Sequence, residues 1–299
     1  MNRPIKVAIL GTGNIGTDLC ARLLKDERFK VVALVGRRED SPGLKMFQGK
    51  VPFLLHSGIR DLISIIQEFE GFFDATSAYD HLNHWSELKK FSKWAIDLTP
   101  SQVGTPLVPE LIGFNDMFKL DPNLVANYSM VTCGGQSSAP LVQAMAKHSK
   151  GITEVEVSSS IASKSAGPAT RKNIDQYINS TENLVKMISN VDNVKAILVL
   201  NPAEPPVMMR TTVQMKVETC NLANIKMELN QFIKKISAYV PGYSLVVEPH
   251  LVSNDVLSST IKVTGAGFVL PEYAGNLDII NAAAVQTAFL HSKQNLREL

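Results

Sequence analysis

Cys133 stands in VTCGGQSSAPL, from Val131 to Leu141, in front of two glycines and close to where helical character begins. A cysteine kept only for packing does not need that neighbourhood. One that must become a thiolate does. Gly134 and Gly135 let the backbone turn sharply and leave the sulfur's surroundings open. A following helix aims its N-terminal N–H groups at the sulfur, which lowers a thiol pKa. The same donors can hold an oxyanion on a carbon that the sulfur attacks. The competing reading is a buried structural thiol, the usual fate of a free cysteine. Cys20, inside a predicted helix, and Cys220, in a polar segment, fit that description.

Gly11, Gly13 and Gly16 form GxGxxG between a short apolar run, Lys6 to Leu10, and a helical segment. The first glycine permits a tight turn, the second a close backbone approach to a pyrophosphate, and the third packing of helix on strand. The helix N-terminus adds N–H donors and a positive dipole. This predicts dinucleotide binding; the alternative is a glycine turn in another α/β fold. After the next strand-like run, FKVVALV, the chain reads GRREDS. An NAD site usually carries an acidic residue there for the ribose 2′-OH. Arg37 and Arg38 instead suit a 2′-phosphate through bidentate bonds, and Ser41 adds a hydroxyl. NADP(H) is the expected cofactor. NAD remains the alternative if both arginines are merely solvated and Glu39 or Asp40 takes the ribose.

A dinucleotide beside a thiolate points to hydride transfer coupled to a covalent thioester. Sulfur adds to an aldehyde, hydride leaves for the nicotinamide, and an acyl-enzyme remains; the reaction also runs in reverse from an acyl donor. Ser77 and Ala78, in DATSA at a strand end, are placed to touch the cofactor. His81 and His84 have helical i, i+3 spacing, but no cluster supplies the further ligands a metal needs. Arg210 suits either a clamp on an anionic substrate or a structural ion pair.

The elements that must position these residues alternate. Apolar runs at Lys6–Leu10, Phe29–Val35, Gly71–Ala75, Trp94–Leu98 and Leu124–Val131 read as strands. Asp18–Lys25, Leu62–Phe69 and Trp85–Lys93 read as helices. That alternation predicts a parallel sheet with helices on both faces. Ser138–Lys150 reads as helix, with Pro140 tolerable only in its first turn. Longer extended runs follow at Ile152–Ile161, Lys195–Leu200, Val207–Val217 and Ser244–Leu251, with helices at Thr170–Ser189 and Leu222–Tyr239 between them. They suggest an antiparallel sheet with helices on one face. Leu277–Gln294 is a last helix able to return to the first domain.

The 299 residues suffice for two domains with real cores. A formal net charge of +2 gives no electrostatic case for nucleic acid. Three scattered cysteines suit a reducing compartment. No targeting segment is visible, and no run approaches the ~20 apolar residues of a membrane span. The expectation is a soluble, cytoplasmic protein.

LGTGNIGTDL, VTCGGQSSAPL, SIASKSAGPATRKNID, LNPAEPPVMMRTTV and LPEYAGNLDIINAAA, in this order, closely resemble the acylating acetaldehyde dehydrogenases that end meta-cleavage pathways for aromatic compounds. The resemblance implies an α/β fold: a Rossmann-type domain over 1–131, completed by the helix at 277–299, and an α+β catalytic and dimerisation domain over 132–276. It implies conversion of an aldehyde and coenzyme A to acyl-CoA, a homodimer, and a partner of the 4-hydroxy-2-oxovalerate aldolase type. It makes Cys133 the nucleophile and sets Thr12, Gly13, Asn14 and Ile15 on the pyrophosphate. It brings Ser165, Ala166, Gly167, Pro168 and Asn173 to the nicotinamide, with Asn276 beside it. Read from residues alone, SKSAGPATRKN is equally an ordinary loop with a helix cap. There are two departures. Where the family reads MRDTV, this chain has Met209-Arg210-Thr211-Thr212-Val213, so Thr211 replaces a candidate base; threonine cannot take a proton near neutral pH. Glu204 and His250 are the substitutes to consider. Arg38 replaces a common aspartate, which favours NADPH and a reductive direction from acyl thioester to aldehyde. The rival readings are a phosphorylating semialdehyde dehydrogenase and a non-catalytic dinucleotide-binding regulator or scaffold.

Overall fold

Short apolar runs closed by helices build the N-terminal part of the computed structural model, which describes residues 3–114, 118–121, 123 and 125–295. The elements in chain order are β1 Ile5–Leu10, α1 Asn14–Leu23, β2 Phe29–Val35, α2 Pro42–Met46, β3 Phe53–Leu55, α3 Ile59–Ser64, β4 Gly71–Asp74, α4 Ala78–Leu88, β5 Trp94–Asp97, β6 Thr105–Pro106 and β7 Asn127–Ser129. They form a seven-stranded sheet in the order β3-β2-β1-β4-β5-β7-β6. Every pairing in it is parallel. Parallel strands are covered on both faces and so read as unbroken apolar runs. One face buries Ala8, Leu10, Val35 and Phe72 with Leu62 of α3. The other buries Val7, Ile9, Phe73 and Ile96 with Leu19 and Leu23 of α1. Chain order reverses between β1 and β4, and the crevice beyond their carboxyl ends is where such sheets bind ligands.

The remaining elements are α5 Cys133–Lys147, β8 Ser149–Lys150, β9 Glu154–Ala162, α6 Pro168–Lys172, α7 Ile174–Ser189, β10 Val194–Asn201, β11 Met209–Lys216, β12 Thr219–Cys220, α8 Leu222–Ile236, β13 Tyr243–Leu251, β14 Val256–Val263 and α9 Gly275–Asn295. Five strands pair in the order β10-β9-β11-β14-β13, and β12 pairs with β8. The five-stranded sheet is mixed, not antiparallel throughout: β9 and β10 are parallel because α7 crosses between them. Its inner face, with Val157, Val213 and Ile261, packs on Val142 of α5, Leu184 of α7 and Leu229 of α8. β14 was not foreseen. Its hydroxyls in VLSSTIKV dilute the apolar signal, although Leu257, Ser259, Ile261 and Val263 alternate inward.

Helix limits also differ. α5 starts at Cys133 and not at Ser138, so Pro140 lies in its interior. There it forfeits one backbone hydrogen bond. α4 begins at Ala78, and the segment expected as one helix over 170–189 breaks at Asn173. Leu124 and residues 296–299, within the expected strand 124–131 and helix 277–299, lie outside the described residues. α9 has no polar face to spare. Ile279 and Ala282 join the core of the five-stranded sheet, while Ile280, Ala283 and Ala284 join that of the parallel sheet. It sits between the two cores.

Candidate active site

The three loop glycines each meet a different constraint. Gly11 has φ +107°, and a Cβ there would lie 2.5 Å from the Ala75 carbonyl oxygen. A Cβ on Gly16 would lie 2.1 Å from the Gly11 carbonyl oxygen, so α1 packs directly on the turn. A Cβ on Gly13 would meet nothing within 4 Å, which leaves that stretch of backbone open to a ligand. Thr12 Oγ1 shares a 2.9 Å hydrogen bond with Ser41 Oγ, tying the loop to the start of α2.

Beside the loop a cleft of about 780 Å³, counting its open mouth, runs between Ile15, the strand ends at 75–77 and 98–100, Val131 to Cys133, and Asn173, Tyr177, Asn276 and Ile280. Cys133 enters it from the first turn of α5. The sharp turn is made by Val131, at φ +59°, and not by the glycines. A β-branched residue with positive φ is strained by roughly 1–3 kcal/mol. Thr132 caps α5: its Oγ1 accepts from Gly135 N at 2.8 Å and its carbonyl from Gln136 N at 2.8 Å. The N–H groups of Cys133 and Gly134 face the sulfur. Gly134 and Gly135 serve close packing. Added Cβ atoms would lie 2.1 Å from the Tyr177 hydroxyl and 2.9 Å from Leu184 Cδ2, so α7 could not approach α5.

The thiol itself departs from expectation. Burial pushes Cys133 up to about 11; the Tyr177 hydroxyl and the two N–H groups pull it down without matching that burial. Among the described residues that line the cleft only Cys133 and Tyr177 are ionisable, so none of them offers a carboxylate, histidine or lysine as a base. Tyr177, which sequence reading did not single out, has its hydroxyl 3.8 Å from Cys133 Sγ. Burial raises its pKa well above the ordinary tyrosine range.

A second unforeseen group sits beneath the strand ends. Asp74 and Asp97 are register partners on β4 and β5 and are fully buried. Asp74 binds His81 Nδ1 at 3.0 Å and His84 Nδ1 at 2.7 Å, and accepts from the backbone N–H and hydroxyl of Thr76. Asp97 accepts from Thr99 N at 2.8 Å and from Ser101 Oγ. His81 Nε2 lies 3.6 Å from Asp97 and 3.0 Å from Asn127 Nδ2. Burial would raise Asp74, but hydrogen bonds from both histidines hold it below the usual carboxylate range. Burial pushes Asp97 up to about 6. Burial would lower His81, yet the Asp74 bond and both carboxylate charges leave it raised. The network fixes Thr76 and Thr99, which line the cleft. The sequence carries a trace of it in the paired strand-end motifs DATS and DLTPS.

Residues 133–271 match the family model described as prokaryotic acetaldehyde dehydrogenase, dimerisation. The acetaldehyde dehydrogenase of Pectobacterium atrosepticum is 41% identical over 95% of this chain and 95% of its own. That of Spirochaeta aurantia is 44% identical over 97% of this chain and 96% of its own. This chain belongs to the acetaldehyde dehydrogenase family. It is an oxidoreductase acting on aldehydes. Among solved structures, aspartate semialdehyde dehydrogenase II of Vibrio cholerae superposes with a TM-score of 0.62 at 13% identity, over 99% of both chains. Aspartate semialdehyde dehydrogenase with NADP from Candida albicans gives 0.63 at 12% identity, over 98% of this chain and 99% of its own. At those identities the likeness is one of fold, a Rossmann-like domain joined to a second α/β domain.

Of the residues expected in an acetaldehyde dehydrogenase site, Ile15, Ser77, Cys133, Asn173 and Asn276 come together in the cleft. Asn276 is 2% exposed, and its Oδ1 has no partner among the described residues. Ser165 is buried with its hydroxyl on the Ala162 carbonyl, and Ala166 is buried beside it. Gly167 and Pro168 open α6. Arg37 and Arg38 are exposed near the loop, with loose ion pairs to Asp80 at 3.7 Å and Asp40 at 3.5 Å. Thr211 is fully buried and does not reach the cleft. Its hydroxyl bonds Ser137 Oγ at 2.8 Å and Ser159 Oγ at 3.1 Å. Neither substitute base lies in the cleft: Glu204 pairs with Lys164 at 2.6 Å on the surface, and His250 is exposed on β13. Arg210 points outward from β11.

Proposed function

We propose that this enzyme interconverts a short aldehyde and its acyl-CoA through a thioester on Cys133, with NADP(H) as cofactor and NAD(H) as the weaker alternative. The observation that carries this reading is the placement of Cys133. It sits in the first turn of α5, facing the crevice of a dinucleotide-type sheet, with two N–H groups beside its sulfur. The residues fit a dinucleotide. Gly13 leaves room for a pyrophosphate, Thr12, Asn14 and Ile15 frame it, and the orphan Asn276 Oδ1 suits a carboxamide N–H. Arg37 and Arg38 offer guanidinium groups for a 2′-phosphate, since exposed ion pairs such as theirs hold them by only about 0–1 kcal/mol. When bound, the nicotinamide supplies or accepts the hydride.

In the reductive direction, Cys133 thiolate attacks the carbonyl carbon of the acyl thioester. The carbon–sulfur bond to coenzyme A breaks, and the departing thiolate takes a proton from solvent, to which the Cys133 proton was released through the cleft mouth. The N–H groups of Cys133 and Gly134 hold the developing oxyanion. After reduction, the carbon–Sγ bond breaks and the aldehyde leaves. The reading includes domains over 1–131 with 277–299 and over 132–276, a homodimer through the second, and an aldolase-type partner supplying or receiving aldehyde.

The test is oxidation of NADPH and NADH, followed at 340 nm, with acetyl-CoA and longer acyl-CoAs. Cysteine-dependent turnover, lost in Cys133→Ser and stronger with NADPH, is the expected result. Turnover with acyl phosphate in place of acyl-CoA would move the reading to a phosphorylating enzyme. Silence with every acyl donor despite cofactor binding would end it.

A further inference from the structure

Behind the thiol runs a line of hydroxyls. Tyr177 Oη lies 3.8 Å from Cys133 Sγ, and Ser159 Oγ is the next hydroxyl beside it above Gly134. Ser159 Oγ is 3.1 Å from Thr211 Oγ1, which is 2.8 Å from Ser137 Oγ, and Ser137 donates to the Gly134 carbonyl at 3.0 Å. Ser137, Ser159 and Thr211 are at most 1% exposed, so water does not complete their bonds. Each hydroxyl owns one hydrogen. While Ser137 donates to Gly134, the sense of the whole line follows. Thr211 donates to Ser137, Ser159 to Thr211, Tyr177 to Ser159, and the Cys133 thiol to Tyr177. That is the arrangement of the neutral thiol. A thiolate has no hydrogen to give and needs donors. If Ser137 turns from Gly134 to Thr211, every link reverses and Tyr177 donates to the sulfur. No heavy atom moves and no hydroxyl hydrogen is stranded.

We propose that Tyr177, backed by this reversible hydroxyl line, is the hydrogen-bond donor that holds Cys133 as a thiolate in an active site without a carboxylate base. The proposal rests on Cys133 being the nucleophile. Gly134 is glycine so that this hydroxyl can reach the sulfur, because a Cβ would sit 2.1 Å from it. Thr211 is the complementary half. A carboxylate there would accept from Ser137 and Ser159 together. Ser159 could then no longer donate to Tyr177, so Tyr177 would face the sulfur without that backing and beside a buried negative charge. The line carries no proton away, since its four hydroxyls hold the same hydrogens in both senses. The thiol proton leaves through the open mouth of the cleft. Tyr177 stays protonated as a donor, and among the described residues no charged side chain lines the cleft to compete with it.

The test titrates the thiol itself and needs no substrate or cofactor. The rate of Cys133 carboxamidomethylation by iodoacetamide is followed against pH by peptide mass spectrometry, with thiolate absorbance at 240 nm as a second readout and Cys133→Ser as the blank. Tyr177→Phe keeps the ring and removes the donor. Its thiol midpoint should rise by about one pH unit, with about tenfold slower alkylation below the midpoint. Thr211→Asp should also raise the midpoint. Thr211→Val, which buries no charge, should leave Tyr177 able to donate and move the midpoint less than Tyr177→Phe. A Tyr177→Phe protein of native circular dichroism whose thiol titrates at or below the wild-type midpoint would overturn the proposal. Loss of acyl-CoA turnover by the wild type, with the Tyr177→Phe shift intact, would sink the substrate reading and leave this one standing.

Discussion

Arg37 and Arg38 decide cofactor choice if their guanidinium groups reach a 2′-phosphate. Both are exposed, and their ion pairs to Asp80 and Asp40 are long. Replacing both with alanine should therefore leave folding almost untouched. It should raise the KM for NADPH tenfold or more, about 1.4 kcal/mol, while the KM for NADH stays within twofold. Equal losses for both cofactors would show that the arginines serve the loop and not the phosphate. These positions were legible because the signal is local: a glycine loop, a strand and the residues at its end. Cys133 was legible for the same reason, but its environment was not. The helix N-terminus is visible in VTCGGQSS, whereas the burial that pushes the thiol up to about 11 comes from α7 and α9, distant in sequence. Val131 shows the same limit. Nothing about a valine announces φ +59°, which only the β7-to-α5 junction imposes.

At the scale of elements, the contact between α5 and α7 depends on Gly134 and Tyr177 together. Gly134→Ala should destabilise the protein by about 1–3 kcal/mol through overpacking. In a Tyr177→Phe background the hydroxyl 2.1 Å from the new Cβ is gone, so the same change should cost markedly less. A double-mutant cycle by urea unfolding measures this coupling, and additive losses would mean that α7 is held off by something else. The Asp74–His81–Asp97 network makes a second prediction, with its sign set by the shifts. His81 is raised in the fold, so its contribution is fully present below the unfolded histidine value of about 6.5. It is lost as pH rises through the higher folded value. Asp74 is depressed and loses its contribution only in acid. The stability gap between wild type and His81→Gln should be widest near pH 6 and narrow as the pH rises towards 9. A gap flat across that range would mean that His81 is neutral in the fold. The sequence offered His81 and His84 only as a pair at helical spacing. Their partners come from β4 and β5, and parallel register is not written in either strand alone.

The whole molecule turns on the outer face of the five-stranded sheet. Side chains alternate along β11: Thr211 and Val213 face the helices, and Arg210, Thr212 and Gln214 face away. The register partners of Thr212, Ser158 of β9 and Thr260 of β14, are small and hydroxyl-bearing, and Thr212 Oγ1 shares a 2.9 Å bond with Thr260 Oγ1. Val199 on β10 and Val247 on β13 flank this flat centre at 43% and 39% exposure. Such a face suits a second sheet laid against it, and the family model matched over 133–271 is a dimerisation domain. An arginine in place of Thr212 would stand between Ser158 and Thr260, next to Arg210, and hold a second sheet off the centre of the face. Thr212→Arg should convert a particle of twice 32.7 kDa into one of 32.7 kDa in sedimentation velocity at micromolar concentration, while Thr212→Ser remains a dimer. Because Thr211 and Thr212 point to opposite faces, the monomeric variant should keep the wild-type thiol titration of Cys133. A Thr212→Arg protein that still sediments as a dimer would place the interface elsewhere. One that dissociates with a shifted thiol would mean that pairing of the sheets also sets the hydroxyl line behind Cys133.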